Sequence, residues 1–376
     1  MRATLAAIGF AAIILADCGR GDAGGTVVIG QYGSLTGSEA TFGQATLRGI
    51  QLAVREVNAS GGIKGKTIEI KSYDDRGTSQ EAGTAVTRLI TNDKAVALLG
   101  ENTSSQSIAG GRVAQQYGVP MISPSSTNPA VTEIGDKIFR VCFLDSFQGW
   151  VDAKFAREHL KARTAAILYD QAQAYSKGLA QFFKDAFSGM GGSIASEQAY
   201  TAGDQDYSAQ LTTIREARPD VIFIPGYYTD SGNIALQARK LGITASLLGG
   251  DGWDSPQLAA IGGAAVEGSY FSTHFAVQES RPDTQAFVSS YETEYKQRPD
   301  SLAALGYDAA RLLFDAMRRA PSWEGAALAQ ALAETKGFAG VTGTISIDPH
   351  RNAKKSAVVV QVKGGVPVAV TTIEPE

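Results

Sequence analysis

Two hydrophobic rhythms alternate along the chain. "TVVIGQYG" at 26–33 is a short β-branched run and predicts a strand. In "TFGQATLRGIQLAVREVNASGG", which follows, Leu47, Ile50, Val54 and Val57 recur at spacings of three, four and three, one face of a helix, which Gly61 and Gly62 should end. "KTIEIKSYDD" at 66–75 alternates as a strand does, and Ser79 is expected to cap a helix ending near Asn92. "AVALLG" at 95–100 and "VPMISPSS" at 119–126 predict two buried strands, with a helix near 105–117 between them. The rhythm restarts with strands at 163–170, 193–200, 220–228 and 246–252 and a helix through Met190. Beyond "GSYFSTHF" at 268–275, helical stretches run over 283–297, 301–320 and 323–335, and Gly364 and Gly365 separate two apolar runs as in a β-hairpin. Such alternation implies α/β architecture, with parallel sheets covered by helices on both faces.

At 376 residues the chain is long enough for two such domains. With 44% hydrophobic and 19% charged residues it can bury sizeable cores. A net charge of −4, without a long basic run, argues against nucleic acid as a partner. His159, His274 and His350 have no metal-ligand spacing to one another or to a cysteine, so no metal or other cofactor is expected. "MRATLAAIGFAAIILADCGRGDAGG" reads as a signal peptide and tether over 1–25, with Arg2 before a short apolar core. Its "LADC" is similar to a bacterial lipobox and makes Cys18 a lipidation candidate, although Asp17 departs from that pattern and ordinary cleavage is the alternative. Either outcome places the protein in the periplasm or another extracytoplasmic space. Cys142, within the apolar "KIFRVCF", is then a lone buried thiol.

Enzyme signatures are missing. "GQYGSLTG" does not fit G-x-G-x-x-G, and neither a phosphate-binding loop nor a G-x-S-x-G elbow occurs, so no catalysis is expected. What the sequence does offer is hydroxyls. Ser104 follows one predicted strand, and Ser125 and Thr127 follow another. In open α/β sheets, ligands bind at the carboxyl ends of strands, where helix N-termini favour a carboxylate. In the second half, Tyr175, Tyr227 and Asp251 follow strands in the same way. An acidic side chain suits an ammonium group, and a tyrosine presents an apolar face with a polar tip. One half would hold an anion and the other a cation, which a zwitterion requires.

"SLTGSEATFGQATLRGIQLAVREVNASGGIKGK", "YDDRGTSQEA", "VPMISPSSTNPAVT", "DQAQAYSKGLA", "GYYTDSG" and "LLGGDGWDSP" resemble the periplasmic binding proteins for branched-chain amino acids, over nearly the whole mature chain. The resemblance implies a type I periplasmic-binding fold: two Rossmann-like lobes with parallel sheets, joined by three hinge crossings near Asp145, His274 and Lys354. The N-terminal lobe would take 26–145 plus 275–354, and the C-terminal lobe 146–274 plus 355–376. It also implies that Ser104 and Thr127 donate to a ligand carboxylate, that the Ser125 carbonyl and Asp251 hold the ammonium, that Tyr175 and Tyr227 cover the ligand, and that Phe42 lines the side-chain pocket. Asp251 stands where the family has a longer glutamate, Phe42 replaces a tryptophan, Ser125 replaces an alanine, and Gly77 and Thr103 occupy the places of a family disulfide. The implied function is delivery of a small aliphatic amino acid to an ABC permease by a monomer. A sensor of an amide, urea or aromatic acid acting on a regulator is the alternative.

Overall fold

The computed structural model describes residues 24–375. The signal peptide and Cys18 lie outside the described residues.

Two sheets organise the chain. The first contains β1 (Thr26–Gly33), β2 (Thr67–Asp74), β3 (Leu98–Leu99), β4 (Met121–Ser123) and β5 (Ile138–Arg140), in the order β2-β1-β3-β4-β5, all parallel. Its helices are α1 (Ala40–Ala59), α2 (Ser79–Thr91) and α3 (Ser104–Tyr117). The chain then enters α4 (Asp145–Glu158), β6 (Thr164–Asp170), α5 (Ala174–Gly189), β7 (Ser193–Tyr200), α6 (Ser208–Ala217), β8 (Val221–Ile224), α7 (Tyr228–Lys240), β9 (Ser246–Gly249), α8 (Pro256–Gly262) and β10 (Tyr270–Thr273). Three further helices follow, α9 (Pro282–Tyr295), α10 (Ser301–Arg319) and α11 (Gly325–Ala333), then a small ribbon of β11 (Phe338–Gly340) and β12 (Gly343–Ile345). Finally β13 (Ala357–Lys363) and β14 (Val366–Ile373) complete the second sheet, in the order β14-β13-β10-β9-β8-β6-β7.

That second sheet is parallel from β7 to β10 and antiparallel at β13 and β14, so it is mixed rather than purely parallel. The cause is the predicted hairpin. Gly364 and Gly365 have φ of +59° and +76°, the two successive positive values that a two-residue hairpin turn needs.

The helix α10 returns to the first lobe. It packs along α1 at glycines facing backbone: a Cβ on Gly49 would lie 2.0 Å from the Ala303 carbonyl oxygen, and one on Gly306 2.5 Å from that of Thr46. Only glycine permits so close an approach. The strands and helices predicted from periodicity are present, with ends trimmed by a few residues. The helices α6, α7 and α8 and the ribbon β11–β12 had no assigned range, and β5 and α4 were missed because "KIFRVCF" and "SFQGWVDAKFAREH" have no clean amphipathic period. The cap of α2 is Thr78, not Ser79: the Thr78 hydroxyl accepts from the Glu81 N–H.

Candidate functional site

The C-terminal ends of β3 and β4 lie side by side, and each opens into a hydroxyl-rich turn. The hydroxyls there divide into two groups. Those of Ser107, Ser123 and Ser126 donate to the Glu101 carbonyl oxygen at 3.0, 2.7 and 3.1 Å and hold the two turns together. Ser104, Ser125 and Thr127 instead line a cavity, with Phe42, Asn102, Tyr175, Tyr227, Asp251, Gly252 and Leu302. All seven residues singled out from the sequence thus meet at one place. Asn102 and Leu302 were not singled out. Asn102 donates through Nδ2 to Thr46 and Ser125 Oγ at 2.6 and 3.0 Å. Leu302 opens α10, far away in sequence.

The first-lobe wall is polar without being charged. Ser104 is the first residue of α3, whose N-terminal dipole points its positive end here. The Asn102 Oδ1 is buried with no partner, and the Thr127 hydroxyl faces the Asp145 carboxyl without a well-formed hydrogen bond. Buried polar atoms are rarely left unmatched, so this wall is built to bond something in the cavity. Phe42 closes one side and meets Tyr227 and Tyr228 edge to face, with centroids 5.9 and 5.0 Å apart.

The second-lobe wall consists of two phenols and one carboxylate. Tyr175 and Tyr227 stack at 5.2 Å with a 10° interplanar angle. The Tyr175 hydroxyl accepts from the Gly252 N–H at 3.1 Å, whereas the buried Tyr227 hydroxyl has no partner. Glycine is needed at 252: a Cβ there would come within 2.7 Å of the Gly226 carbonyl oxygen and 3.1 Å of both tyrosine rings. Asp251 follows β9 and is held from behind. Gln148 Nε2 donates to its Oδ1 at 3.0 Å, and His274 Nε2 lies 3.0 Å from its Oδ2. Burial pulls His274 below the usual histidine range, against the opposing hydrogen bond to Asp251. The ring is therefore neutral, donates through Nε2, and stacks on Phe143 at 3.7 Å. Burial also raises Asp145 and Asp152 well above the ordinary aspartate value, which disfavours their charged forms. Asp251 accepts two hydrogen bonds where an ionised carboxylate has about four acceptor sites, which leaves room for a cationic donor.

Neither Gln148 nor His274 was assigned to the site from sequence. From the sequence His274 was noted as a histidine without metal-ligand spacing and as the neighbourhood of a hinge crossing, and no group of histidine, cysteine, aspartate or glutamate suited to a metal occurs among the described residues.

The cavity is nearly closed, with room for only about 10 Å³. That barely admits a water molecule, so an occupant of amino-acid size needs the walls to part and reclose around it. Hydrogen bonds across the walls hold this closed arrangement: Ala174 N–H to Ser105 Oγ at 3.0 Å, Asn128 Nδ2 to the Ala174 carbonyl at 2.9 Å, and Thr41 Oγ1 with Ser255 Oγ at 2.9 Å. A wider cavity, bordered by Thr41 and Ser255, is lined by Arg48, Asp254, Phe271, Asp300 and Val362. Its acids are already engaged, Asp254 by Thr273 and Asp300 by the Ala303 N–H at the start of α10, so it is not the site inferred here.

A family model described as periplasmic binding protein matches residues 26–366. A Leu/Ile/Val-binding protein homolog of Brucella melitensis is 30% identical over 91% of this chain and 90% of its own. The crystal structure of a leucine binding protein, LivK, from Thermotoga maritima superimposes with a TM-score of 0.90 at 40% identity, over 93% of this chain and 99% of that one. The branched-chain amino acid transporter substrate binding protein LivJ from Streptococcus pneumoniae, in complex with isoleucine, gives 0.88 at 35%, over 93% and 100%.

Proposed function

Because the chain belongs to the periplasmic binding protein family, we propose that it is an extracytoplasmic receptor that captures a small aliphatic amino acid and presents it to an ABC permease. One observation carries the ligand assignment. A cavity has the unmatched Thr127 hydroxyl and Ser104 at a helix N-terminus on one wall, and a single anchored carboxylate on the other. The amino acid carboxylate lies against Ser104 and Thr127. Its ammonium lies between Asp251 and the Ser125 carbonyl. Its side chain lies against Phe42 and Leu302, under the stacked tyrosines. The names of the relatives favour leucine, isoleucine and valine as first ligands to try.

Affinity follows from closure. Micromolar binding needs about 8 kcal/mol. An amino acid of about nine heavy atoms lies within the ceiling of about 1.5 kcal/mol per atom. The lobes, taken as 26–145 with 275–354 and 146–274 with 355–376, part at their three crossings, and the ligand favours the closed form by touching both. Export by the N-terminal signal and lipid attachment at Cys18 would keep the monomeric receptor beside its permease.

Isothermal calorimetry tests the reading. Leucine, isoleucine or valine should bind at micromolar concentration or better, and the amine-deleted and carboxamide analogues should bind at least tenfold more weakly. Equal binding of the amino acid and either analogue rejects the assignment of the walls.

A further inference from the structure

Directly behind the carboxylate-binding turn sits a cation with no anion. Arg140 is the last residue of β5 and is fully buried. Its Nη1 donates to the Ser126 carbonyl oxygen at 2.5 Å. Its Nη2 donates to the carbonyl oxygens of Asn128 and Pro129 at 2.8 and 3.4 Å and to Thr132 Oγ1 at 3.2 Å, while Nε has no partner. No carboxylate forms an ion pair with it among the described residues. The Asp145 and Asp348 carboxyls contribute to its field without pairing with it, and burial disfavours the charged form of Asp145. A buried charge without a partner is costly, and carbonyl dipoles compensate only part of that cost.

The two best-placed carbonyls flank Thr127. The Ser126 carbonyl belongs to the same peptide group as the Thr127 N–H, so a guanidinium pulling on the oxygen makes that N–H a stronger donor. We propose that Arg140 is a positioning residue for the ligand carboxylate: it fixes the 126–129 turn and supplies, through the peptide groups of that turn, the positive charge that the anionic end of the ligand completes. This rests on the reading that the carboxylate lies at Thr127.

The alternative is a clamp that only holds the turn, and the two differ in which ligand they serve. The experiment measures dissociation constants by calorimetry for wild type, Arg140→Lys, Arg140→Gln and Arg140→Met. The ligands are whichever of leucine, isoleucine and valine binds wild type, and its carboxamide, with folding followed by circular dichroism. Removing a hydrogen-bonded charge should weaken the amino acid by roughly 100-fold in Arg140→Gln and the carboxamide by less than about tenfold. Arg140→Lys keeps the charge but loses the fork, so it should bind more weakly than wild type while recovering most of the preference for carboxylate over carboxamide. Equal loss for both ligands overturns the proposal, as does no loss for the amino acid. Failure of all three variants to fold also overturns it, leaving a structural clamp. If wild type binds none of these amino acids, the proposed function itself fails and takes this inference with it; if wild type binds and the variants do not discriminate, only this inference fails.

Discussion

The two walls of the cavity do the same task with opposite materials. On the first lobe the cavity-facing groups are hydroxyls, an amide and a helix N-terminus, and the charge is held one layer back, on Arg140. On the second lobe the acid stands at the surface of the cavity, as Asp251, and what holds it from behind is uncharged, Gln148 and the His274 ring. The first wall spreads its positive character over several weak donors. The second concentrates its negative character on one group. It follows that the second wall should fail all at once when mutated, and the first by degrees.

The largest effect is therefore expected at Asp251. Asp251→Ala leaves a ligand ammonium buried without its anion, at a cost of about 3–5 kcal/mol, and should abolish measurable binding in calorimetry while the thermal midpoint without ligand changes little. Undiminished binding would mean that the ammonium is held elsewhere. On the first wall, Thr127→Val removes one hydroxyl from a charged partner, about 1.5–3 kcal/mol, and should weaken the amino acid by about 10- to 150-fold but its carboxamide much less. A loss as complete as that of Asp251→Ala would erase the contrast between the walls.

Most groups that face the cavity were legible in the sequence, Asn102 and Leu302 excepted, and groups that act through them were not. Ser104, Ser125, Thr127, Tyr175, Tyr227 and Asp251 sit just past apolar runs, and the strand-end rule places such residues at a common edge. Arg140, Gln148 and His274 escaped because a buried polar side chain that bonds backbone or another side chain leaves no periodic mark. Arg140 ends a three-residue strand, and Gln148 lies on α4, where buried and exposed residues follow no simple stripe. The hydroxyl clusters themselves were ambiguous for a related reason. Serines that lock the turns to the Glu101 carbonyl and serines that line the cavity alternate along the same segments. Composition cannot separate them; only the direction of each side chain does. The mixed second sheet, by contrast, was half visible, since the two glycines announce the hairpin but not which strand it joins.

Between the walls, the crossing hydrogen bonds offer a smaller test. Ser105→Ala removes the acceptor of the Ala174 N–H, and Thr41→Val breaks the pair with Ser255. Each is worth about 1 kcal/mol, so each should weaken binding about fivefold. The effect should appear mainly as faster ligand release in stopped-flow fluorescence, because the closed form alone contains these bonds. An effect confined to the association rate would show that these bonds are still intact at the barrier to release.

The smallest effect on binding, and the clearest on stability, concerns charge buried in each lobe away from the cavity surface. In the first lobe, burial and then the neighbouring Asp75 push Glu101 up to about 8, and burial raises Asp75 to about 6. An acid whose folded value lies above its unfolded one contributes stability that is complete below the unfolded value of 4.5 and is lost as pH rises through about 8. In the second lobe His274 has the opposite sign. Held below its model value of 6.5 by burial, it stays neutral in the fold while the unfolded chain takes up a proton, so its contribution is lost as pH falls below 6.5. Between about pH 8 and 6.5 the Glu101 term acts with little contribution from His274. The thermal midpoint of the ligand-free protein should therefore rise by a few degrees as pH falls across that window, and Glu101→Gln should reduce the rise, leaving the part that the buried acids Asp145, Asp152 and Asp300 contribute with the same sign. His274→Gln should leave that window unchanged and alter the profile only below it. If Glu101→Gln leaves the slope intact, Glu101 does not carry it.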